Sequence, residues 1–159
     1  MHQLKPPAPL FLPAGTPSVF LAGSIEQGRA EDWQTRFAAG LGDLDVVVVN
    51  PRREHWDSSW RQSLDEPRFR GQVEWELQGL EGATVVAFHI LADTRSPISL
   101  LELGLVAASG RAMVCCEEGF FRKGNVDVVC KRYSVPSVAT FEELLALARK
   151  RLAGAAASS

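Results

Sequence analysis

The sequence predicts a single α/β domain in which a mostly parallel sheet of five strands is flanked by helices. Three observations predict it. The 159 residues are the length of one ordinary domain. Short apolar runs alternate with stretches of helical periodicity nearly throughout, the pattern of a sheet whose strands are joined by crossover helices. Val46, Val47, Val48 and Val49 are β-branched without interruption, which marks a strand buried on both faces.

The elements follow in order. Residues 1–17 are rich in proline and show no period, so they are expected to form an irregular arm. The domain proper is expected over 18–153. Ser18 to Ala22 reads as the first strand. Ala30 to Leu41 carries Trp33, Phe37 and Leu41 at helical spacing, with Gly42 at its end. Val46–Val49 is the second strand, and Val73, Leu77 and Leu80 mark the next helix. Thr84 to Phe88 is the third strand. Pro97 suits a first helical turn, and Ile98, Leu101 and Leu105 continue an apolar face to Ala108 before Ser109 and Gly110 close the helix. Ala112 to Cys115 and Val126 to Val129 read as the fourth and fifth strands, and Phe141 to Leu152 as a terminal helix. Residues 154–159, within the Ala-rich end of the chain, are expected to be a flexible tail.

Composition excludes several classes of function. Hydrophobic residues make up 46% and charged residues 23%, the balance of a globular protein. The net charge of -2 provides no basic excess for nucleic acid or a membrane surface, and neither is expected as a partner. No apolar run approaches the length of a membrane span and no leader pattern opens the chain, so a cytoplasmic protein is expected. His2, His55 and His89 lack zinc-ligand spacing, and the three cysteines form neither a disulfide framework nor a metal motif. Neither metal nor organic cofactor is expected.

A parallel sheet binds ligands at the carboxyl ends of its strands. That rule singles out Gly23 and Ser24, Asn50 to Arg53, His89 to Ser96, and Glu117 to Asn125. Between Gly23 and Arg29 a strand runs into two glycines, a serine and an arginine, where backbone N–H groups can face an anion; the alternative is a plain strand-to-helix turn. Glu102 lies among Leu100, Leu101, Leu103 and Leu105, near a helix start, where a carboxylate needs a purpose or a partner. Glu76 alone reads as part of a wet helix face with Glu74 and Glu81; paired with Glu102 it provides the two carboxyl groups that glycosidic chemistry uses. Trp56 and Trp60 offer stacking surfaces for a flat base, Arg52 or Arg53 an anion contact, and Asp57 a further polar group.

Five ordered pieces, Phe20 to Ile25, Asn50 to Arg52, Gln72 to Leu77, Ser96 to Gly104 and Arg122 to Val126, resemble the nucleoside 2-deoxyribosyltransferase-like family. The resemblance implies a Rossmann-like, flavodoxin-like domain of five strands in a homo-oligomer, most simply a dimer. It implies cleavage or transfer at the N-glycosidic bond of a nucleoside or nucleoside 5'-monophosphate through a covalent glycosyl–glutamate intermediate. Glu102 matches the nucleophile, and Glu76 stands where the family usually has an aspartate. Gly23, Ser24, Ile25 and Ser96 match positions that hold phosphate in the related 5'-monophosphate N-hydrolases, whereas the transferases tend to have aspartate in place of Ser96. Arg29, Asn50, Arg52, Trp56, Asp57 and Asn125 complete the expected substrate contacts. Phe20 replaces a tyrosine whose hydroxyl orients the nucleophile. On this basis a 5'-monophosphate is expected to bind better than its nucleoside. The adjacent Phe120 and Phe121 are expected to need a partner subunit to cover them. The alternatives are a nucleotide binder without chemistry and a hydrolase of a larger nucleotide such as an ADP-ribose derivative.

Overall fold

The structure, a computed structural model, describes residues 1–54, 57 and 59–157, with the side chain of Gln27 left out. Its strands are β1 (His2–Leu4), β2 (Ser18–Gly23), β3 (Val47–Val49), β4 (Val85–Ile90), β5 (Ala112–Cys116) and β6 (Ser137–Val138). The helices are α1 (Trp33–Ala39), α2 (Pro67–Gly82), α3 (Pro97–Val106), α4 (Lys123–Tyr133) and α5 (Phe141–Ala156). The six strands form one sheet in the order β1-β3-β2-β4-β5-β6, with every pairing parallel. The α/β class and parallel sheet agree with the sequence reading.

Alternation along each central strand divides the core in two. Phe20 and Ala22 of β2, with Val86, Phe88 and Ile90 of β4, pack beneath Trp75 and Leu80 of α2, Leu103 and Val106 of α3, and Val126 and Cys130 of α4. Val19, Leu21, Val85 and Ala87 face the other way, onto Trp33 and Phe37 of α1 and Phe141, Leu144, Ala148 and Leu152 of α5. The helix starts are written locally. Asp32 accepts the Thr35 N–H at the head of α1, Pro67 and Pro97 occupy the first turns of α2 and α3, and Thr140 with Glu143 forms a reciprocal capping box on α5.

The strand expected at Val126–Val129 lies within α4 instead. Val126 and Cys130, one helical turn apart, are buried, while Val128 is 70% exposed, so the segment buries one helix face and not two strand faces. The open edge of β5 is taken by Ser137–Val138. At the other edge, His2–Leu4 of the proline-rich arm pairs with β3 and inserts Leu4 into the core. The terminal helix continues to Ala156.

The strand order reverses at β2: α1 leads outward to β3, and α2 crosses back to place β4 on the opposite side of β2. The loops after β2 and β4 therefore part at their carboxyl ends and open a crevice where parallel sheets bind ligands.

Candidate active site

That crevice is a cavity of about 380 Å³, walled by the 23–29 loop, by α2 through Gln72, Val73 and Glu76, and by α3 through Ser96, Ser99 and Glu102. Pro51 and Arg53 close it from the end of β3. A more open groove of about 520 Å³ runs between Pro7–Leu10 and the outer side of α2, away from both Glu76 and Glu102.

The floor is fixed by β2. Gly23 has φ +137°, and a Cβ there would overlap the His89 carbonyl oxygen of the neighbouring strand. Ser24 follows, completely buried, and its N–H donates to that same carbonyl at 3.0 Å. Its hydroxyl lies 2.8 Å from the Thr94 hydroxyl and 2.6 Å from that of Ser96, which are themselves 2.8 Å apart, and it also accepts the Leu91 N–H. Three hydroxyls so closed on one another tie the β2 loop to the β4 loop. The Glu26 carboxylate crosses the same junction, its Oε1 accepting the N–H groups of Arg95 (2.8 Å) and Ser96 (2.7 Å).

Glu76 on α2 and Glu102 on α3 line one cavity, which the sequence alone leaves open. Burial pushes the Glu102 carboxyl up to about 8, and the Glu76 charge pushes in the same direction. Glu76 is also raised by burial, but the Gln72 amide and the Arg53 guanidinium oppose the shift. Gln72 Nε2 donates to Glu76 Oε1 at 2.7 Å and to the Pro51 carbonyl at 3.2 Å, while its Oε1 accepts from Arg53 Nε. Gln72 thus holds Glu76 at one end and Arg53 at the other. Burial thus favours the protonated form of both carboxyl groups, and at Glu102 the neighbouring Glu76 charge adds to it.

Of the sequence-derived residues, Gly23, Ile25, Arg29, Ser96, Glu76 and Glu102 border the cavity. The remaining sequence-derived residues lie elsewhere. Ser24 sits beneath the floor with its hydroxyl already bonded. Arg52 points away: it donates to the carbonyls of Gly28, Ala30 and Glu31 and so pins the 28–31 backbone. Arg53, its neighbour, is the arginine of this segment at the cavity wall. Asn50 is buried and accepts the Arg52 N–H in a turn that ends β3. Asp57 is exposed and bonded to Ser59. Asn125 is exposed on α4, outside the cavity lining, because its segment is helix and not a loop. Trp56 lies outside the described residues, and Trp60 stacks against Arg53 and Arg68. Phe120 is buried in the core while Phe121 is half exposed, so only one of the two aromatics lacks cover.

Two contributors escaped the sequence reading. Gln72 precedes Glu76 by four residues, a spacing that puts them on one helix face and offers a usable signal. Glu26 has no such signal, since its partners are 69 and 70 residues away. The cysteines stay apart from the chemistry: burial pushes Cys115 up to about 11 and Cys116 to about 12, far from thiolate formation. Among the described residues no cluster of three metal-binding side chains occurs, and no helix is long and apolar enough to cross a membrane.

A crevice at the reversal point of a parallel sheet, with two carboxyl groups facing into it, defines a class of small-molecule α/β proteins. Within that class the chain belongs to the nucleoside 2-deoxyribosyltransferase-like family, whose model matches residues 16–120. Nine chains of solved structures match it in fold. One, described as the crystal structure of a conserved protein from Enterococcus faecalis V583, superposes with a TM-score of 0.58. It is 11% identical, with 86% of this chain and 99% of that one covered, and it corroborates the fold alone. Among curated proteins no sequence matches.

Proposed function

We propose that the protein breaks the N-glycosidic bond of a nucleoside, with Glu102 as nucleophile and Glu76 as proton carrier. The observation that carries this reading is the pair of buried carboxyl groups, Glu76 from α2 and Glu102 from α3, that line one cavity. The reaction needs one carboxylate and one proton, and two carboxyl groups with raised proton affinity can supply both between them. With substrate bound, the proton that Glu102 holds passes to Glu76 and from Glu76 to the departing base, which takes the electron pair of the C1'–N bond and leaves Glu102 as the carboxylate. A Glu102 carboxylate oxygen then bonds to C1', giving a glycosyl ester. Water, deprotonated by Glu76, or a second base attacks C1' from the vacated face and releases Glu102, with net retention.

The remaining residues take supporting roles. Gln72 orients Glu76, and Arg53 stabilises its charge. Ile25, Arg29 and Ser96 border the sugar's far end. The volume of about 380 Å³ supports a nucleoside-sized ligand over a dinucleotide. A second copy of the chain is proposed to cover the outer face of α3, where Ile98, Leu101 and Leu105 are each more than half exposed at the cavity rim.

One observation favours the reading as a binder without turnover. Phe20 brings no hydroxyl, and among the described residues Glu102 accepts no side-chain hydrogen bond, so the nucleophile lacks an orienting donor. Incubation with the common nucleosides and deoxynucleosides, followed by chromatography for free base and intact-mass analysis of the quenched protein, separates the two. Base release with a sugar adduct on the Glu102 peptide is expected; tight binding without release would replace the enzyme reading with the binder.

A further inference from the structure

The geometry points to Glu26 as the residue that selects the substrate's 5' end. Its carboxylate fills the anion position at the entrance to α3, so the cavity takes a free 5'-hydroxyl and turns away a 5'-monophosphate. The inference rests on the glycosidic reading, which fixes the end of the sugar that meets α3.

Glu102 lies six residues after Ser96, about 9 Å along the helix axis, and its side chain leans back toward the helix N-terminus. The gap is suited to a pentose with a hydrogen bond at its far end. With C1' at Glu102, the 5' carbon therefore lies beside Ser96, Glu26 and Arg29, all of which border the cavity. The start of a helix, with its dipole and free N–H groups, ordinarily favours an anion. Here the anion is already part of the chain. Glu26 Oε1 accepts the Arg95 and Ser96 N–H groups that lead into α3. Its second oxygen accepts no hydrogen bond among the described residues, which leaves it available to a substrate hydroxyl.

The hydroxyls that would otherwise receive a phosphate are committed. The hydroxyls of Ser24, Thr94 and Ser96 bond to one another, and all three residues are buried. Of the nearby arginines, Arg29 is exposed and turns its Nε to the Glu26 carbonyl, and Arg53 turns its Nε to Gln72. A phosphate entering this corner would meet the Glu26 carboxylate at close range, and like charges at such separation weaken binding by roughly 10- to 100-fold. The loop is shaped for this contact: Glu26 adopts φ +47°, in the left-handed region, and its carboxylate bonds hold it across to the β4 loop. The preference expected from Ser24 and Ser96 is thereby reversed.

The test uses the full chain with four 2'-deoxynucleosides and their 5'-monophosphates. Base release is measured for wild type, Glu26→Gln and Glu26→Ala, and equilibrium binding is measured on the same proteins. Wild type is expected to prefer the nucleosides by roughly 10- to 100-fold in kcat/KM and in affinity. Glu26→Gln keeps an oxygen for the two N–H groups but removes the charge, and it is expected to narrow that ratio at least tenfold, as is Glu26→Ala. Thermal melting verifies that both variants fold. Monophosphates used as well as nucleosides by wild type, or a ratio unmoved by both substitutions, would overturn the assignment. Absence of base release, with the nucleoside preference in binding still lost on substitution, would remove the glycosidic reading and leave the role of Glu26 standing. Failure to bind either ligand class would overturn both.

Discussion

Burial in the cavity wall, reinforced by the Glu76 charge, holds the Glu102 carboxyl at about 8, against an ordinary value of 4.5. The consequence reaches stability. The folded chain keeps the proton that the unfolded chain releases above pH 4.5, so the Glu102 contribution is full below that value and drains away until about pH 8. Glu102→Gln has no proton to lose. Its stability relative to wild type is expected to rise between pH 5 and pH 8 by roughly 2–5 kcal/mol, read from urea unfolding at the two pH values. A difference that stays flat with pH would mean that Glu102 ionises as an ordinary surface acid. This residue is legible in the sequence because four leucines flank it along the helix, although of the four only Leu103 is buried. Glu76 is legible only as half of a pair. Ser24 and Arg52 have the right chemistry at strand ends, but tertiary partners far along the chain consume their hydrogen bonds, and no local pattern reveals that.

Elements whose burial follows from their own composition are the ones the sequence announces. Val47–Val49 and Val85–Ile90 are buried at every position, and α3 and α5 begin at a proline and a capping box. The errors fall where pairing or packing by a neighbour decides. Val126–Val129 has strand-forming side chains, yet the buried pair Val126 and Cys130 sets a helical register. β1 and β6 span three and two residues, too few to carry a pattern, and exist through pairing with β3 and β5. Helix position is equally exacting between α2 and the sheet. A Cβ on Gly79 would come within 2.6 Å of the Phe20 ring and 3.1 Å of Val49, and Phe20 is wholly buried. Gly79→Ala should therefore destabilise the fold by about 1–3 kcal/mol in denaturant unfolding, although alanine is the better helix former. A stabilised variant would show that α2 shifts freely over β2. Since α2 carries Glu76, that displacement is also expected to lower activity.

At the scale of the molecule, the reversal of strand order at β2 brings residues more than 70 positions apart, Gly23 and Glu102 among them, to one crevice. That convergence follows from alternating strands and helices, and so the place of the site is readable from the sequence even where individual contacts are not. The same geometry leaves Ile98, Leu101 and Leu105 exposed beside the opening. If a second copy covers them, sedimentation at micromolar concentration will give a species of at least twice the chain mass, and Leu101→Glu will shift it toward the monomer. A monomer in wild type would place that apolar rim in solvent and contradict the proposed assembly.

The central claim is that Glu102 forms the bond to the sugar, and base release from 2'-deoxynucleosides by wild type and Glu102→Gln tests it most directly. The substitution is nearly isosteric and removes the nucleophile. Wild type is expected to release free base, and the variant to bind the same ligands while turnover falls by about three orders of magnitude or more. Release at a near wild-type rate by the folded variant would contradict the mechanism and make Glu102 a structural acid.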